Sequence, residues 1–147
     1  MQYEAYKDLY IKDAYSIFDF FSIGPRGIIL KRIVFIPTTN ARVYNLSLGD
    51  VTLDGEMSSY SVSDNGDRNK ILATVAYAVD IYLEKYPDRY VFFTGSTDGR
   101  TRLYRMAVAL NFDELSLKFD IYCQTDMGII PFQKNIPTTG ILVKRKS

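Results

Sequence analysis

The segment VFFTGSTDGRTRLYR, residues 91–105, constrains the fold more than any other stretch, because its character changes twice within a few residues. Val91, Phe92 and Phe93 are β-branched or aromatic and suit a packed, pleated surface. The next six residues, from Thr94 to Gly99, are rich in turn formers. Leu103, Met106, Ala107 and Leu110 then recur at i, i+3, i+4 and i+7, the spacing of one apolar helix face. The pattern predicts a buried strand, a short polar loop capped by Ser96, Thr97 or Asp98, and a helix running to about Asn111.

Around this join the chain reads as strands first and helices later. Residues 1–13 carry no clear pattern. Aromatic-rich residues 15–23 and apolar residues 28–36 flank Gly24-Pro25-Arg26-Gly27, a turn signal, and predict a hairpin with Lys31 or Arg32 facing out. Tyr44, Leu46 and Leu48 alternate with Asn45 and Ser47, the pattern of a strand with one polar face. Gly49-Asp50 is expected to end that strand. Residues 51–53 and 57–62 are expected to add short strands. Leu72, Val75, Ala76, Val79 and Leu83 predict a helix that starts after Asp64 or Asp67 and stops before Pro87. Strands are expected over 117–123 and 128–132, and over 140–143 at an edge. The fold class is therefore α+β. An antiparallel or mixed sheet of about five to seven strands carries two main helices on one face, in the order β-β-β-(β)-α-β-α-β-β. At 147 residues, one domain spanning 1–147 is expected.

A strand, a glycine-containing loop and a helix start together form an anion seat, because unpaired N–H groups and the helix dipole both favour negative charge. Arginines add planar donors matched to phosphate or carboxylate oxygens. The dipole contributes about 0.3–1 kcal/mol at an exposed end. A charge-assisted hydrogen bond contributes about 1.5–3 kcal/mol, so the arginines dominate. The candidate ligand-binding residues are Lys70, Gly95, Ser96, Thr97, Arg100, Arg102, Tyr104 and Arg105. Lys70 joins them if the two helix starts lie at the same end of the sheet. No Walker or dinucleotide-binding glycine motif is present. A capped helix with a solvated basic face is the competing reading.

Composition narrows the chemistry. The chain has no histidine, which removes His-based acid–base catalysis, Ser-His-Asp and Cys-His nucleophiles and most zinc sites. The acidic residues Asp50, Asp54, Glu56, Asp64 and Asp67 match no calcium-loop pattern and read as turn formers and helix caps, so no metal or cofactor is expected. A net charge of +1 gives no global attraction to nucleic acid. The lone Cys123 reads as a core residue in a reducing cytoplasm. No run is long and apolar enough to predict a membrane span.

The segments ARVYNLSLGD, SDNGDRNKILATVA and above all GSTDGRTRLYRMAV resemble a family of small bacterial proteins of unknown function marked by GST-x-x-RTRLYR. The resemblance covers about residues 15–146. It implies a bacterial, cytoplasmic, single-domain protein and transfers no catalytic residue. Two functions follow from the residues. One is binding of a phosphate-bearing anion, RNA or a nucleotide, at the loop–helix join, with cleavage left open. The other is a non-enzymatic interaction module, homodimeric through the aromatic hairpin.

Overall fold

The computed structural model describes residues 3–58, 64–95 and 97–147. Its centre is one mixed sheet of nine strands. The strands are β1 (Tyr10–Lys12), β2 (Ile17–Gly24), β3 (Gly27–Pro37), β4 (Val43–Val51), β5 (Met57–Ser58), β6 (Tyr90–Phe93), β7 (Phe119–Thr125), β8 (Gly128–Pro131) and β9 (Gly140–Arg145). The helices are α1 (Arg68–Lys85), α2 (Asp98–Leu110) and the single-turn α3 (Phe112–Leu115). The α+β class fits, with more strands than expected. The expected strand over residues 57–62 survives as β5, and its remainder lies outside the described residues.

The strand order is β1-β2-β3-β4-β6-β9-β7-β8, with β5 paired to β4. All neighbours are antiparallel except β4 and β6, which are parallel and joined by the α1 crossover. The 140–143 strand is not an edge. As β9 it lies between β6 and β7 and pairs with both. Strand β4 likewise runs through Gly49-Asp50, because Gly49 pairs with Arg32 and Asp50 with Lys31 across β3. Cross-strand pairing with a sheet interior overrides a local turn signal.

The helices cover one face of the sheet. Phe18 and Phe20 of β2, Ile33 and Phe35 of β3, Leu46 of β4, Val91 and Phe93 of β6, Ile121 of β7 and Ile141 and Val143 of β9 form the core with Val75, Ala78, Val79, Tyr82 and Leu83 of α1. The Phe35 and Tyr82 rings stack at 3.9 Å between centroids. Strand alternation puts Lys31 on this covered face, opposite both Phe20 and Asp50. Its exposure is 0 %, and its Nζ lies 2.6 Å from Asp50 Oδ1. Only Arg32 of the two basic residues turns to the other face, where it donates two hydrogen bonds to Asp19.

That second face carries no helix. Phe21, Ile23, Ile28 and Ile36 are exposed there, Ile28 at 70 %. Asp19 is nevertheless buried, because Arg32 and Lys12 close over it. Burial pushes its carboxyl up, but the hydrogen bonds from Arg32 and Lys12 outweigh that and hold it below the ordinary value.

The inward face of α2 also departs from the expected one. Thr101 and Val108 are its buried residues, while Met106 and Leu110 are exposed at 46 % and 80 %. The helix is turned by Thr101, whose Oγ1 accepts from Gly95 N–H at 2.9 Å and shares a hydrogen bond with Thr94 at 3.1 Å. Tyr104 follows one turn later, edge-on to Phe93 at 5.6 Å.

Candidate functional site

Strands β4 and β6 run in the same direction, and α1 and α2 each begin beyond the carboxyl end of one of them. In open α/β sheets this is where ligands lie, because helix starts and loop N–H groups converge there. A cleft of about 220 Å³ opens at this end. Leu48, Arg68, Ile71, Leu72, Arg100, Leu103 and Tyr104 line it, with Asp64, Asn65 and Asp67 from the approach to α1.

Of the residues expected to bind a ligand, the structure brings Arg100 and Tyr104 to this cleft. Arg102 is exposed on the helix flank. The Arg105 guanidinium donates to Ile136 O at 3.3 Å and so ties α2 to the segment before β9. Lys70 is not in the cleft lining; its Nζ lies 4.3 Å from the centroid of the Tyr6 ring. With Gly66 and Asn69 it lines an adjoining depression that shares Asp64, Asp67 and Arg68 with the cleft. Ser96 lies outside the described residues.

Gly95 and Thr97 build the loop. A Cβ on Gly95 would come 2.4 Å from both Arg100 Cβ and Thr101 N, so only glycine lets the loop pass this close to α2. Its N–H is engaged by Thr101. Thr97 is the helix cap: its hydroxyl accepts from Arg100 N–H at 3.2 Å. Two N–H groups that a phosphate seat would use are therefore occupied by the protein itself.

Sequence reasoning missed Arg68. It is the first residue of α1, and only the crossover places it in the same cleft as the first turn of α2. Among the described residues neither Arg68 nor Arg102 forms an ion pair. The Tyr104 hydroxyl finds no hydrogen-bond partner among them either. Burial raises its pKa, against the Arg100 charge, which lowers it, so the phenol stays protonated and able to donate.

The opposite wall is a polar network rooted under the hairpin. Asn65 is buried, accepts from Arg26 N–H at 2.7 Å and donates to Gly27 O at 2.9 Å. A Cβ at Gly24 would fall 1.8 Å from Asn65 O, so the hairpin turn is pressed against this residue. Asp67 Oδ2 accepts from Tyr6 at 2.5 Å and from Ser22 at 2.6 Å, while its buried Oδ1 has no partner among the described residues. Asp67 does not cap α1 with its side chain, contrary to expectation. Asp64 instead accepts from Gly66 N–H in a local turn. Among the described residues no three potential ligands gather around a metal position. No described helix is long and apolar enough to cross a membrane.

A second crevice adjoins the cleft. Leu72 and Tyr104 line both spaces. Beyond them Val75, Val79, Ala107, Val108 and Leu115 surround an apolar space of about 70 Å³ between α1, α2, α3 and the sheet.

A family model described as a family of unknown function (DUF6934) matches residues 2–146. No curated protein and no solved structure matches the chain.

Proposed function

We propose, for a chain that belongs to this family of unknown function, that the cleft between the starts of α1 and α2 binds the phosphate of a small ligand of nucleotide size. The observation that carries the reading is that Arg68 and Arg100, from the first turns of two helices, line one cleft with Tyr104. Two guanidinium groups and a phenol offer donors to several phosphate oxygens, and both helix dipoles act in the same sense. The acidic wall of Asp64 and Asp67 favours a single phosphate over a polyanion, since a second phosphate would meet like charge. A mononucleotide is therefore favoured over RNA.

The test is calorimetric titration of adenosine monophosphate and of a short single-stranded RNA, at two salt concentrations. Each arginine is expected to contribute about 1.5–3 kcal/mol, so Arg68→Ala or Arg100→Ala should weaken mononucleotide binding by about tenfold or more. The salt slope should correspond to about one phosphate. Unchanged affinity in the double variant would overturn the cleft as the site. A slope of several phosphates, with RNA the tighter ligand, would overturn the preference for a mononucleotide.

A second reading rests on a different observation, the apolar residues on the helix-free face. Phe21, Ile23 and Ile28 of the β2–β3 hairpin form a patch suited to a two-fold contact with a second copy. Such a contact leaves the cleft open, because the cleft is on the opposite face.

A further inference from the structure

Leu72 and Tyr104 form a wall of both the cleft and the apolar crevice. Protein interiors are close-packed, and an apolar gap forfeits the contacts that would fill it. Here the gap follows from how α2 sits. It buries only Thr101 and Val108, and its small residue Ala107 faces the crevice. Across the gap α1 also presents a small residue, Ala76, beside Leu72. The seam between the two helices is thus walled by Leu72 and Tyr104 where it meets the cleft, and by the small Ala76 and Ala107 beyond them. Phe93, Phe119 and Val143 of the sheet floor it.

We infer that the two spaces form one bipartite site: the cleft holds an anionic phosphate head, and the crevice takes a short apolar group attached to it. The ligand class is a small phosphomonoester whose organic part is apolar. This rests on the proposed phosphate seat but departs from the mononucleotide, because an apolar space of about 70 Å³ takes an alkyl group and not a nucleoside. The charged side chains stay at the cleft, so nothing polar in the crevice resists an alkyl group. About 70 Å³ is roughly half the volume of an apolar cavity known to accept benzene, which sets the size at a short aliphatic branch. The Tyr104 ring separates head from tail, and its hydroxyl stands near Arg100.

The experiment titrates inorganic phosphate and methyl, ethyl, propyl and butyl phosphate into the full chain. Affinity is expected to rise about fourfold per methylene while the tail enters the crevice, and then to level off. Ala107→Leu, which fills the crevice, should remove that rise. A variant-independent readout is methyl NMR of the parent chain. Butyl phosphate should shift the resonances of Val75, Val79 and Leu115, and inorganic phosphate should not. If every phosphate binds with the same affinity, the tail site is overturned while the head site stands. A rise that persists undiminished in folded Ala107→Leu, without shifts at those methyl groups, also overturns it. If no phosphate compound binds, both readings fall together.

Discussion

Lys31→Met should destabilise this protein more than its position in a nine-stranded sheet alone suggests. The side chain is fully buried and stands 2.6 Å from Asp50 on the helix-covered face, next to Phe20. Methionine preserves the packing of the methylene stem. The Asp50 carboxylate, only 13 % exposed, loses its contact with the Lys31 ammonium. Breaking a buried pair in this way costs about 3–5 kcal/mol. Unfolding entropy is about 2.1 cal/mol/K per residue, so over 147 residues a loss of 1 kcal/mol lowers Tm by about 3 °C. The expected drop is therefore about 10–16 °C by calorimetry at neutral pH. The double variant Lys31→Met/Asp50→Leu removes both desolvation penalties. It should recover to within about 1–2 kcal/mol of the parent, or exceed it. Two results would refute the reasoning: a single variant that loses less than about 1 kcal/mol, or a double variant as unstable as the single. The first would mean that the pair is solvated; the second, that the ammonium is needed for more than charge balance.

Two further outcomes follow from the helix-free face. Asp19 is held below its ordinary pKa, so its contribution to stability is present above about pH 4, the unfolded value, and is lost as pH falls through the lower folded value. Thermal scans between pH 6 and pH 2 should show a flatter acid limb in Asp19→Asn than in the parent, and parallel limbs would remove Asp19 from the explanation. Self-association through Phe21, Ile23 and Ile28 predicts a dimer by light scattering that Phe21→Lys/Ile28→Lys converts to monomer. A parent chain that stays strictly monomeric at high concentration would sink that contact.

How far the sequence could be read depends on the range of the interaction that decides each feature. The β2–β3 hairpin was legible because Gly24 and Gly27 flank a two-residue turn, and a turn is a local object. The α1 helix was legible from its apolar spacing and from Pro87, and it ends at Lys85. The face that α2 turns inward was not. Periodicity marks an apolar stripe, but the hydrogen bond that Thr101 accepts from the Gly95 N–H and the one it shares with Thr94 selected the adjacent one. Which of Lys31 and Arg32 faces out was undecided for a similar reason. A lysine in a strand reads as solvent-facing unless its partner is known, and Asp50 is fixed opposite it only by the register of β3 on β4.

The candidate site divides in the same way. Thr97 as a helix cap and a loop closed by Gly95 follow from local chemistry, as does an arginine in the first turn of α2. What local chemistry could not supply was the company each residue keeps. The parallel pairing of β4 and β6 brought Arg68 and Arg100 to one cleft, while Arg105 reaches Ile136 and Lys70 reaches Tyr6. The hairpin turn at Gly24–Gly27, the Thr97 cap and the end of α1 answer to energies within a few residues of chain, so sequence determines them. Which cations share a cleft and which charge lies in the core depend on contacts between distant segments, and those exist only once the sheet has closed its register.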